Sequence, residues 1–70
     1  MNKYLRMDLI YEYILLNKLT KVEFCKKSNI SQYSFRKIEN GDLKCTLIYM
    51  PILAKTVGVN VSDLIIIENL

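Results

Sequence analysis

Residues 19–41 read LTKVEFCKKSNISQYSFRKIENG. Thr20 is a good N-cap, and Glu23 follows it at the spacing of a capping box. In that device each side chain satisfies the other's orphan backbone N–H. A short helix is therefore expected from 21 to about 27, with Phe24 and Cys25 facing inward. Ser28-Asn29-Ile30 is the turn. Asparagine tolerates the left-handed conformation better than most non-glycine residues, so Asn29 can end the helix abruptly. Ile30 then plugs the core at the bend. Ser31 is a second N-cap, and a helix is expected from there to about residue 39. Asn40-Gly41 stops it, with glycine suited to the left-handed cap.

At 100° per residue, Gln32, Arg36, Asn40, Tyr33 and Lys37 fall within a single arc of about 140°. Phe35 and Ile38 fall on the opposite side. One face of this helix thus carries an amide, a phenol, a guanidinium and an ammonium. Such groups read base edges and phosphates. Gln pairs bidentately with adenine, and Arg or Lys with guanine N7 and O6. Any exposed helix carries polar residues, so the stripe alone decides little. The order of elements adds more: a capped short helix, an abrupt turn, a capped second helix, then Glu-Asn-Gly. That is the grammar of a helix-turn-helix. Lys21 adds charge near a helix end whose N–H groups are able to hold a phosphate.

Outward from this stretch, helical spacing continues on both sides. Leu5, Leu9, Ile10, Tyr13 and Leu16, with Ile14 beside them, predict a first helix from about 3 to 17. Asn17-Lys18 breaks it. Downstream, Thr46 is a capping candidate for a fourth helix from about 47 to 57, which places Pro51 close to the first turn, where its missing N–H costs least. Gly58 terminates that helix. Asn60 with Asp63 marks the start of a last helix at Val61. Its continuation, Ile65-Ile66-Ile67, reads as helix or strand, and helix is the favoured reading.

The chain has 70 residues, which is one domain, 1–70. A chain of this size buries roughly 60 % of its unfolded surface, and 51 % apolar residues helps it do so. Cys25 and Cys45 are the two cysteines, and there is no histidine. A closed zinc site wants four Cys/His ligands, so no metal and no cofactor are expected. The thiols read as small buried hydrophobes. Asp8 and Glu12 interrupt the apolar run near the N-terminus, which speaks against a signal peptide or membrane span. A cytoplasmic protein with no membrane partner and no small-molecule ligand is expected. Net charge is +3, and residues 21–44 hold six basic against three acidic groups. An anionic partner would meet the middle third.

The run from Leu19 to Gly41 resembles the helix-turn-helix of the phage repressor and Cro proteins, the Xre-like regulators. The family pattern is a cap, a polar residue, two more, Leu-Ala, three residues, Gly, an aliphatic, Ser, then a variable helix ending in Glu-x-Gly. Here Phe24-Cys25 stands for Leu-Ala, Asn29 for the turn glycine and Ile30-Ser31 for the aliphatic-Ser pair. Phe35 and Ile38 match the buried positions of the recognition helix. The run ILAKTVGVNVSDLI, residues 52–65, resembles the family's fourth helix, its Gly-Val and its final Ser-x-Asp-x-Leu, with Asn60 in place of the serine. The resemblance covers about residues 5–66.

It implies a compact all-α, five-helix, repressor-like DNA-binding domain with the helix-turn-helix at helices 2 and 3. The third helix would dock in the major groove of double-stranded DNA, commonly as a homodimer on a two-fold operator. Carried over by position, Gln32, Tyr33 and Lys37 are base contacts, and Arg36 contacts a base or a phosphate. Tyr33 is large for that place and suits a sugar or a thymine methyl. Lys21, Ser31, Asn40 and Lys44 are the phosphate candidates. One departure concerns Ile14, where the family frequently has an arginine paired with the glutamate matching Glu39. Arg6 or Lys18 would have to substitute, or Glu39 would be exposed.

An enzyme is hard to assemble from these residues: no histidine, no paired carboxylates, no phosphate-binding glycine loop. The expected function is sequence-specific DNA binding as a small transcriptional regulator, with repression the favoured mode. The alternative is a protein-interaction module on the same fold, of antitoxin or antirepressor type. Leu64, Ile65, Ile66, Ile67 and Leu70 crowd the tail with apolar groups. They are the dimer-interface candidates, set against closing the domain's own base. Tyr11 and Leu15 offer a further outward apolar surface.

Overall fold

The computed structural model describes residues 2–66. Among them the elements are α1 (Met7–Leu16), α2 (Lys21–Ser28), α3 (Gln32–Glu39), α4 (Leu43–Val57) and α5 (Val61–Leu64). The described residues are all-helical apart from one isolated antiparallel bridge, Leu5 with Ile65. None of their helices is long and apolar enough to cross a membrane.

The local signals in residues 19–41 act as their chemistry dictates. The Thr20 Oγ1 accepts the Glu23 N–H at 3.1 Å, and the Glu23 carboxylate accepts the Thr20 N–H at 2.8 Å. Such a cap contributes about 1 kcal/mol. Asn29 takes the left-handed conformation at φ 58°, ψ 40°, and its N–H and that of Ile30 close the last turn of α2. Ser31 caps α3 by accepting the Ser34 N–H. Gly41, at φ 91°, follows the end of α3.

The core lies where the helices meet. Phe24 of α2 packs edge-on against Tyr13 of α1, with ring centroids 5.9 Å apart, and in a tilted arrangement against Phe35 of α3 at 5.6 Å. Ile10, Ile38 and Leu53 are fully buried around them. Aromatic pairs of this geometry add about 0.5–1.5 kcal/mol beyond area burial.

Three expectations change. First, α1 begins at Met7, not near residue 3. The Asn2 Oδ1 accepts the N–H groups of Tyr4 and Leu5 at 2.8 and 2.9 Å, a local bond that competes with helix. Residues 4–6 instead pair with 64–66, through Arg6 N–H to the Leu64 carbonyl and Ile66 N–H to the Tyr4 carbonyl. Leu5 reaches the core from this segment, and the buried stripe of α1 is Met7, Ile10 and Ile14. Leu16 points outward, 73 % exposed.

Second, α4 starts at Leu43 with Asp42 as its N-cap, the carboxylate accepting the Cys45 N–H at 2.8 Å. Pro51 therefore sits inside the helix, on its exposed side. There water can satisfy the carbonyl that its missing N–H leaves free. Thr46 is no cap but a buried junction. Its hydroxyl donates to the Asp42 carbonyl at 2.6 Å and accepts from the Asn2 Nδ2 at 2.7 Å. The same amide donates to the Ile38 carbonyl at 2.7 Å, so Asn2 ties the N-terminal segment to α3 and α4 together.

Third, α5 ends at Leu64, and Ile65 is extended, at φ −80°, ψ 138°. β-branched side chains suit that backbone, and pairing with Leu5 secures it. Ile67 of the expected helical continuation lies outside the described residues.

Candidate nucleic-acid interface

Helix α3 buries Phe35 and Ile38 and turns its other side to solvent. Gln32, Tyr33 and Arg36 are exposed there, and Lys37 is partly exposed. Tyr33 is 72 % exposed. The Lys37 ammonium lies 5.6 Å from the centre of the Tyr33 ring and 3.6 Å from the Asp42 carboxylate. Asp42 is already engaged at the start of α4, where the Cys45 N–H is the main reason its pKa falls below the ordinary aspartate value. Lys37 is thus steadied between a ring face and a capping carboxylate.

The phosphate candidates sit at helix ends. Lys21 opens α2, Ser31 and Asn40 flank α3, and Lys44 lies in the first turn of α4. The Ser31 hydroxyl is occupied: it accepts the Ser34 N–H and hydrogen-bonds the Ser34 hydroxyl at 2.9 Å. A cleft between α2 and α3 is lined by Lys21, Gln32, Arg36 and Glu39, with Cys25 and Phe35 beneath. It brings two cations and an amide from two helices to one edge. Lys44 and Asn40 are not part of that cleft.

Glu39 has partners that the sequence reading does not find. Lys21 Nζ is 2.8 Å from its carboxylate. The Tyr11 hydroxyl donates to the same oxygen. Lys21 also lies over the Tyr11 ring, 5.4 Å from its centre. Arg6 is engaged elsewhere, with Asp8 at 2.8 Å. The partners of Glu39 are therefore Lys21 and Tyr11, and neither Arg6 nor Lys18. Tyr11 lies one helical turn before Ile14, so its phenol reaches the end of α3 from the same helix.

These contacts leave an electrostatic mark. Burial would raise the pKa of Glu39. The hydrogen bonds from Lys21 and Tyr11, with the charges of Lys21 and Arg36, outweigh it and hold the carboxyl below the ordinary glutamate value. Burial first, then the Glu39 carboxylate, pushes the Tyr11 phenol up to about 12. Burial and the same carboxylate raise the Cys25 thiol, which is therefore a packing group and a poor nucleophile.

The tail is corrected in part. Leu64 is fully buried in the core of its own chain, so it offers no surface to a second copy. Ile65 and Ile66 are half-buried beside the N-terminal segment. Ile67 and Leu70 lie outside the described residues.

Compared with known proteins, the chain matches no family model, no curated protein and no solved structure.

Proposed function

We propose that this chain is a sequence-specific binder of double-stranded DNA, a small cytoplasmic transcriptional regulator without catalytic activity. In this reading α2, the turn at Asn29-Ile30 and α3 form a helix-turn-helix, and α3 enters the major groove. The observation that carries it is the exposed face of α3. It presents an amide, a guanidinium, an ammonium and a phenol side by side, on a helix seated by Phe35 and Ile38. Gln32, Arg36 and Lys37 would hydrogen-bond base edges. Tyr33, so exposed, would lie against a sugar or a thymine methyl. Lys21, Ser31, Asn40 and Lys44 would meet phosphates at the margins. For Ser31 the occupied hydroxyl leaves chiefly the N–H groups at the start of α3 for that task.

Two copies on half-sites about 34 Å apart would explain repression by occupancy. Ile65 and Ile66 remain the described tail residues available to such a pairing. The test is a titration of a mixed-sequence duplex at several salt concentrations. The slope of log affinity against log salt should be steep and should become shallower by about one in Lys44→Ala. A flat salt response would overturn the reading.

A further inference from the structure

Helix α4 has two apolar faces, and only one of them is used. Its inner face buries Thr46, Met50, Leu53 and Ala54. Its outer face leaves Leu47 50 %, Ile48 56 % and Ile52 40 % exposed. Pro51 is exposed between them. At 100° per residue, these four side chains span an arc of about 140°. Lys44 and Lys55 fall inside the same arc, one at each end of the stripe, about 16 Å apart along the helix axis. Ile52 and Lys55 also line a groove whose other wall is Lys27, Ser28 and Asn29 from the end of α2. No acidic residue occurs in α4. Among the described residues, Lys44 and Lys55 have no ion-pair partner.

We infer that this face is a docking site for an acidic amphipathic helix of a partner protein. An apolar stripe on that helix covers Leu47, Ile48 and Ile52, and its flanking carboxylates meet Lys44, Lys55 and Lys27. Docking here leaves the exposed face of α3 free, and the partner helix and DNA meet the same side chain only at Lys44.

The charges select among occupants. A second copy packed on this face by a two-fold axis would oppose like charges. Antiparallel helices set Lys44 against the other copy's Lys55, and parallel helices set each lysine against itself. Like charges directly opposed at an interface are unfavourable. A flat anionic membrane would meet the convex stripe but not the recessed groove between α2 and α4. A ridge of helical side chains fits such a groove, and helix-in-groove recognition reads anchors at the spacing this stripe offers. Duplex DNA would satisfy the lysines but leave the aliphatic centre against phosphates.

The test is an NMR titration of the whole chain, labelled with ¹⁵N, with two synthetic peptides. One is an amphipathic helix with a leucine stripe and glutamates on its remaining faces. The other has lysine in place of every glutamate. The acidic peptide should shift resonances of residues 44–55 and 27–29 saturably, and bind at least tenfold tighter than the basic one. Lys27→Glu combined with Lys55→Glu should reverse that order. Ile48→Asp, at a site exposed enough to leave folding intact, should abolish binding.

Four results would overturn the inference. One is equal binding of both peptides. Another is shifts confined to α3. A third is self-association of the native chain that Ile48→Asp abolishes, which would assign the face to a second copy. The fourth is binding to phosphatidylserine vesicles with none to the acidic peptide.

Discussion

The Lys21 ammonium sits 2.8 Å from the Glu39 carboxylate, joining the first turn of α2 to the last residue of α3. The pair crosses the cleft between the two helices proposed to meet DNA. It couples a cation suited to phosphate with a carboxylate that opposes phosphate. Lys21 is 60 % exposed in its side chain, so the pair itself contributes little to stability. Its larger effect is on where Lys21 points.

Replacing Glu39 with glutamine should therefore strengthen DNA binding. The negative charge is lost from the interface, while Tyr11 keeps a hydrogen-bond acceptor. A gain of about threefold to tenfold at low salt is expected, shrinking as salt rises. Stability should fall by no more than about 1 kcal/mol. Fluorescence anisotropy with a labelled duplex, beside urea denaturation, checks both. Weaker DNA binding in a folded Glu39→Gln chain would mean that the carboxylate positions Lys21 productively.

The Tyr11–Glu39 contact also gives stability a pH dependence at both ends. The phenol is raised to about 12 from 10.0. Its stabilising contribution is complete below pH 10 and is lost as pH climbs toward 12. The Glu39 carboxyl is lowered, so its contribution is present above the ordinary carboxylate range and is lost as pH falls through the folded-state value. Tyr11→Phe should flatten the alkaline loss and leave most of the acid loss. Urea midpoints at pH 7, 10, 11 and 3 measure this. An unchanged alkaline limb in Tyr11→Phe would count against the contact.

Asn2 has a structural role out of proportion to its place at the chain's start. Its buried amide serves the Ile38 carbonyl, the Thr46 hydroxyl and two backbone N–H groups. Truncation to alanine leaves several of these unsatisfied, at a cost of about 2–3 kcal/mol. A two-state urea transition should shift to a correspondingly lower midpoint. A change within about 0.5 kcal/mol would show that water replaces the amide.

How far these features are legible in the sequence depends on their range. The capping box at Thr20 and Glu23, the left-handed Asn29, the cap at Ser31 and the stop at Gly58 are local devices, and residue type with spacing is enough to read them. The polar and buried faces of α3 follow from the helical period. Asp42 is also a residue type that caps helices. Pro51 argues for a later start to α4, and its exposure removes that requirement. The break after α1 is read at Asn17-Lys18, but the left-handed backbone of Lys18, at φ 55°, is a conformation that its residue type does not announce. The Lys21–Tyr11–Glu39 cluster and the Asn2 junction join residues from distant elements. No periodicity encodes such contacts. The pairing of residues 4–6 with 64–66 likewise depends on the chain's two ends meeting, and that meeting overrides the helical pattern at Leu5.

The measurement that bears most directly on DNA reading by α3 is enrichment of a random duplex pool by the purified protein, repeated with Gln32→Ala and Lys37→Ala. A two-fold motif should emerge with the native chain, and each variant should relax it at particular positions, at about 1–3 kcal/mol per lost base contact. Recovery of no motif, with salt-sensitive background binding that both variants leave unchanged, would contradict it.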